Sequence, residues 1–147
     1  MGGSPEPPLA LHELFRIRGV LDPSAAIPGL RASMSAAMAL GRLAEAGPAS
    51  QHDLGAWLGL EKSTVSRLVA GLIADGWVEK APHPDGSRSP WLTLTPAGRA
   101  VTDQLARAMR ARHERILSAL TPTERRAAEL AVPALIRALQ AELNGPQ

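Results

Sequence analysis

At 147 residues and 45% apolar composition, the chain is long enough for one globular domain with a real core. It has no cysteine, which excludes disulfides, thiolate metal sites and cysteine redox chemistry. The formal net charge is only +2, and residues 50–99 carry five basic and five acidic side chains, so charge alone does not single out nucleic acid.

The opening MGGSPEPPLA lacks the basic start and apolar run of a secretory signal. Glu6 also stands where a myristoylation pattern needs Ser or Thr. With no stretch near membrane-spanning length, a cytoplasmic protein without membrane contact is expected. The first eight residues read as a flexible Pro/Gly tail. Leu11, Leu14, Phe15 and Arg18 then fall at helical spacing and predict a helix at about 9–21, broken by DPSAAIPG. A second helix is predicted from about Leu30 to Ala46, stopped by Gly47-Pro48. Met34 and Met38 there, with Met109, suggest a sensing set. Methionine at helical spacing is more ordinarily core filler.

Ser50 reads as an N-cap, with Asp53 three residues on in a capping-box arrangement. The short helix QHDLGAWLG sets Leu54, Trp57 and Leu58 on one side and closes at Gly59. Leu60 leads into a helix at about 61–74, whose Val65, Leu68, Val69, Leu72 and Ile73 form one stripe. Lys62, Ser63, Ser66, Arg67 and Ala70 fall on the opposite face, and Asp75-Gly76 ends the helix. Residues 82–95, PHPDGSRSPWLTLT, then read as a loop tip between two short strands, a stiff finger that pushes Arg88 outward.

Thr95 and Pro96 supply a helix start, with Thr95 as cap and Pro96 at the first helical position. The helix runs from 96 to about 119 and carries Val101, Leu105, Ala108, Ile116 and Leu120. LTPTERR repeats the device with Thr121, Pro122 and Glu124. The last helix, to about Leu143, contains Pro133, which predicts a kink or short break near 129–133.

Two short helices joined by a tight glycine turn, the second with a polar outer face, make a helix-turn-helix pattern. Ser, Thr, Lys and Arg at a helix N-terminus can reach base edges and phosphates, and the free N–H groups there favour anions. The bland alternative is an amphipathic helix with a solvated face. The finger shifts the balance, because a helix-turn-helix followed by a two-stranded hairpin is a winged helix. Arg88 is then placed to enter a minor groove, where narrow A·T tracts concentrate negative potential.

The segment GPASQHDLGAWLGLEKSTVSRLVAGLIADGWVEKAPHPDGSRSPWLTLTPAGRA resembles the MarR family of bacterial winged-helix transcription regulators. The resemblance extends over about 9–143, through LAEAGP before the segment and LTPTERR after it. It implies a mainly α fold with a small β-wing: a winged helix-turn-helix flanked by N- and C-terminal dimerisation helices. The chain then divides into a tail at 1–8, a dimerisation helix and linker at 9–29, a DNA-binding domain at 30–95, and dimerisation helices at 96–147. The implied partners are double-stranded DNA, a second copy of the chain, and a small aromatic effector; no cofactor is implied. DNA contacts carry over to Lys62, Ser63, Thr64, Ser66 and Arg67 on the recognition helix and to Arg88 on the wing. An effector, often an anionic phenolic compound in the family, would sit in a crevice near His12, Arg16, Met34, Met38 and Met109. The chain departs from the family twice. The acid that usually stands two residues before the wing arginine is replaced by Gly86, with Asp85 one position earlier, and Pro133 interrupts the last helix.

Two other function classes compete. An enzyme is disfavoured because His12, His52, His83 and His113 lie on four different elements with no ligand-spaced pair. No phosphate loop, paired-carboxylate motif or nucleophile elbow accompanies them, so neither catalytic nor metal-binding residues are expected. The alternative is a winged helix used for protein contacts without DNA. It would call for large apolar anchors where residues 62–67 carry basic and hydroxyl side chains.

Overall fold

A computed structural model describes residues 32–145 and, apart from them, Leu14. The expected tail at 1–8 and most of the expected helix at 9–21 lie outside the described residues, as does Leu30. The chain divides into two compact units, one reaching Met109 and one beginning at Arg110.

In the first unit, helix α1 (Met34–Ala46) begins later than Leu30, because Ser33 caps it. The backbone of Ser33 is extended, and its hydroxyl oxygen accepts from the Ala36 N–H at 3.1 Å. Ala36, Ala39, Leu40 and Leu43 are buried at the i, i+3, i+4, i+7 spacing of one helical face. Gly47, at φ +85°, turns the chain out.

Strand β1 (Ala49–Ser50) runs directly into α2 (Gln51–Leu58). The Ser50 hydroxyl oxygen accepts from the Asp53 N–H at 3.0 Å, and the hydroxyl donates to the Asp53 carboxylate at 2.8 Å. Gly59 ends α2 in the left-handed region, where glycine carries no steric penalty. Of the apolar trio expected on one side of α2, Leu54 is buried and Leu58 half-buried, but Trp57 is half-exposed. Position 57 lies on the flank of the stripe, and the indole is held by the Arg42 guanidinium of α1, 5.4 Å from the ring centroid.

Helix α3 (Lys62–Ala74) buries Val65, Val69 and Leu72 and leaves its opposite face in solvent. It ends in a Schellman motif: Gly76 N–H donates to Ile73 O and Trp77 N–H to Leu72 O, with Gly76 at φ +75°. This sharp exit aims the chain into β2 (Val78–Ala81), which pairs antiparallel with β3 (Trp91–Leu94). Strand β3 also pairs with β1, so the sheet order is β1-β3-β2. Registers are Val78 opposite Leu94, Ala81 opposite Trp91, and Ser50 opposite Trp91.

Thr95 ties the foot of this sheet to the next helix. Its hydroxyl donates to Gly76 O and accepts from Gly98 N–H at 2.9 Å, and its own N–H donates to Trp77 O. Helix α4 (Pro96–Ser118) starts there and buries Gly98, Thr102 and Leu105. The buried Thr102 hydroxyl is satisfied by donating to Gly98 O at 2.7 Å. Leu40, Leu54, Val69, Val78 and Leu92 form the fully enclosed centre of the unit. Each such side chain contributes about 1.5–3 kcal/mol relative to exposure.

The second unit holds the end of α4 and helix α5 (Pro122–Leu143). Thr121 and Glu124 form a complete capping box at its start. Arg125 donates to the Glu114 carboxylate at 3.1 Å, bracing α5 against the end of α4. Of the kink or short break expected near 129–133, the break is absent, because α5 continues through Pro133. Residues 129–144 are all exposed, so the carbonyl deprived of a partner by the proline can be hydrated. Leu130, Val132, Leu135, Ile136, Leu139 and Leu143 are exposed along this helix. No helix of the described residues is long and apolar enough to cross a membrane.

Candidate nucleic-acid interface

The polar face of α3 follows from its packing. Because Val65, Val69 and Leu72 point into the core, Ser63, Ser66 and Arg67 point away from it and are exposed, whereas Lys62, one turn before Val65 on the same side, is exposed as the first residue of the helix. Thr64 lies on the boundary and is half-buried. The helix start has a second feature. Glu61 occupies the N-cap position but makes no side-chain cap bond, so no side chain shields the first N–H groups of α3. Free N–H groups with a lysine in the first turn form a surface suited to an oxyanion such as a phosphate.

The strands β2 and β3 raise the wing, and Arg88 is exposed near its tip. Among the described residues the Arg88 guanidinium makes no hydrogen bond or ion pair. Asp85 does not brace it. The Asp85 carboxylate accepts from Ser87 N–H at 2.8 Å and pairs with His83 Nδ1. The Ser87 N–H, with the His83 charge behind it, holds the Asp85 carboxyl below its ordinary value.

Between α2, the start of α3 and the sheet lies a cleft of about 690 Å³. Gln51, His52, Lys62, Lys80, Ser89 and Pro90 line it around Leu60, Val65 and Leu92. Lys62 and Lys80 are the only lysines in the chain, and both reach this one cleft. Lys80 escapes a reading of the sequence because it lies in β2, far along the chain from the recognition helix. Two residues from the buried Val78, it shares that residue's side of the strand, so no local alternation marks it as exposed.

Met34 and Met38, about one turn apart on α1, and Met109 on α4 are each half-buried. His12 and Arg16 lie outside the described residues. His52 is exposed on α2, His83 belongs to the wing, and His113 is exposed on α4.

This helix-turn-helix and wing match known structures along nearly their whole length. The MarR family model matches residues 31–89. A MarR-family transcriptional regulator from Silicibacter pomeroyi is 33% identical, covering 90% of this chain and 86% of that one, with a TM-score of 0.67. The chain belongs to the MarR family. It is therefore a transcriptional regulator with a winged-helix fold, mainly α with a small β-wing. A cysteine-to-serine mutant of MarR from E. coli has the same fold at 19% identity, with a TM-score of 0.78 over 92% of this chain and 99% of that one. BpsR of Bordetella bronchiseptica, described as regulated in DNA binding by 6-hydroxynicotinic acid, is 22% identical with a TM-score of 0.72. That likeness covers 95% of this MarR-family chain and 96% of BpsR. No curated protein matches the sequence.

Proposed function

We propose that this regulator acts as a homodimeric repressor on a pseudo-palindromic duplex and is released by a small aromatic ligand. The observation that carries the reading is the exposed polar face of α3 standing on the same compact unit as the exposed Arg88. Lys62, Ser63, Thr64, Ser66 and Arg67 meet base edges and phosphates in a major groove, and Arg88 enters the adjacent minor groove. Lys80, beside Lys62 on one cleft, adds positive charge between helix and wing. None of these roles calls for catalysis or a metal, so the protein is a binding protein.

The dimer reading is supported by α5, where Val132, Leu135, Ile136 and Leu139 are each at least 42% exposed. Apolar groups at that spacing ask for a covering partner, and a two-fold contact with the same helix of a second copy supplies one. Two recognition helices related by a two-fold axis require half-sites about one helical turn apart. The ligand reading is supported by the BpsR likeness. The proposed site is the crevice at His12, Arg16, Met34, Met38 and Met109. A ligand that fits only one spacing of the two recognition helices disfavours DNA by its differential affinity.

The test is an electrophoretic shift against fragments of the source genome, with light scattering on the same sample. Retained fragments sharing a pseudo-palindrome, and a dimer mass at micromolar concentration, are expected. A monomer mass, or no fragment retained, overturns the proposal.

A further inference from the structure

The lysines of this chain are placed unlike its arginines. Of the 16 lysine and arginine side chains only Lys62 and Lys80 are lysine, and both line the cleft between α2, the start of α3 and the sheet. Lys62 opens α3, and Lys80 stands in β2 with Leu92 of β3 as its register partner. Both are exposed, and among the described residues neither makes a hydrogen bond or an ion pair. Among the described residues no carboxylate lines the cleft, although Glu61 and Glu79 adjoin the two lysines in sequence. Leu60, Val65, Pro90 and Leu92 supply an apolar wall, and about 690 Å³ is room for a molecule with an anionic and an apolar part.

Lysine brings two chemistries to such a place. As an ammonium it is a compact point charge that attracts phosphate, and as a free amine it is a nucleophile. Acylation removes its charge, whereas a guanidinium stays charged throughout. With two lysines in one cleft, one can hold the phosphate of an acyl phosphate while the other reaches the acyl carbonyl carbon. The unshielded N–H groups at the start of α3 add to the hold on phosphate.

We propose that this cleft is an acyl-acceptor site, where a phosphate-bearing activated acyl group is held and transferred to Lys62 or Lys80. The free amine adds to the acyl carbonyl carbon, and the C–O bond to phosphate breaks. Phosphate leaves with the bonding electron pair and takes up the proton that the nitrogen gives up. The product is a neutral amide. An acyl thioester on a phosphate-bearing carrier reacts in the same way, with the C–S bond breaking and a thiolate leaving. Because the chain has no third ε-amine, side-chain acylation removes charge only here, on the face proposed to meet DNA. The regulatory consequence rests on the DNA-binding reading; the site does not.

The test treats the full chain with acetyl phosphate, and in a parallel arm with acetyl-coenzyme A, and follows Lys62 and Lys80 by peptide mass spectrometry. Acetylation at the two lysines should saturate as the donor rises, and inorganic phosphate should slow it. Saturation with one donor alone supports the site and identifies the source of the acyl group. A rate that stays proportional to both donors and ignores phosphate overturns the site, since any exposed amine would show it. The treated protein is then run in an electrophoretic shift on a duplex enriched from a random library by the untreated wild type, and the bound and free bands are mapped separately. Each acetylated lysine should weaken binding roughly eightfold at about 0.1 M salt, the worth of one released counterion. The free band should therefore be enriched in modified Lys62 and Lys80. Lys62→Arg combined with Lys80→Arg, measured against its own untreated affinity, should lose nothing on treatment. Equal modification in the two bands, or a loss in the double variant as large as in the wild type, overturns the regulatory consequence and leaves the DNA reading intact. If no duplex is enriched, the DNA reading fails, and the saturation measurement still decides the site.

Discussion

Gly98, in the first turn of α4, lies directly against the backbone carbonyl of Trp77 at the exit from α3. A Cβ built on Gly98 would overlap that carbonyl oxygen, and the Trp77 carbonyl carbon would be 2.6 Å away. The obstacle is backbone, held in place because Trp77 O accepts from Thr95 N–H and Trp77 N–H donates to Leu72 O. Neither side can give without breaking the joint between the recognition helix, the wing and α4.

Gly98→Ala should therefore destabilise the protein by about 3 kcal/mol, at the upper end for overpacking. Two other glycines make the comparison informative. A Cβ on Gly55 meets the Val65 methyl at 2.7 Å, a side chain that can shift, so Gly55→Ala should cost about 1 kcal/mol. Gly71, exposed on α3, has nothing within 4 Å of its Cβ position, so Gly71→Ala should stabilise by about 0.5–1 kcal/mol through helix propensity. Urea denaturation of the three variants checks the order.

How far the sequence reveals this fold depends on the range of the interaction involved. Capping signals act within three or four residues, and they locate Ser50, Thr95 and Thr121 correctly. The stripe of Val65, Val69 and Leu72 likewise declares the inner face of α3. Strand β1 is two residues long, too short for any alternation, and exists only because β3 pairs with it. The joint at Gly98 and Trp77, the lining of one cleft by Lys62 and Lys80, and the edge-on contact of His83 with Trp91 all join distant positions. None has a local signature. At Pro133 the local signal is real but does not break the helix, because a hydrated helix tolerates the missing bond.

The start of α5 gives a pH-dependent outcome. Glu124 is held below its ordinary carboxyl value, first by the Thr121 backbone N–H and then by the Thr121 hydroxyl. A carboxyl depressed in the folded state adds stability above its unfolded value and loses it as pH falls through the folded value. Thr121→Ala should cost about 1 kcal/mol at neutral pH by removing the cap oxygen. The effect of Glu124→Gln should be largest at neutral pH and shrink once glutamates protonate. Urea midpoints at pH 7 and pH 3 for both variants check the sign.

On DNA, the two exposed arginines should behave differently. Arg67 stands on the exposed face of α3, so Arg67→Ala should cost about 1–3 kcal/mol and relax preference at particular base pairs. Arg88 stands on the wing, so Arg88→Ala should weaken binding with little change in major-groove preference. Selection from a random duplex library, repeated with each variant, reads both effects. Unchanged affinity in Arg88→Ala would mean that the wing, locked by Asp85 toward His83, is turned off the DNA.

Peroxide should not release the protein from DNA. Fast, reversible oxidative switches work through a thiolate that forms sulfenic acid or a disulfide, and this chain has no cysteine. Methionine is the remaining oxidisable sulfur, and Met34, Met38 and Met109 are each half-buried, which slows attack. Treatment with low peroxide should leave the electrophoretic shift unchanged over minutes, while an aromatic acid that fits the proposed crevice should abolish it. Rapid release by peroxide, reversed by a thiol reductant, would contradict the thiol argument outright. Release reversed only by methionine sulfoxide reductase would place the switch on a methionine, and substituting Met34, Met38 and Met109 by Leu in turn would show whether one of them carries it.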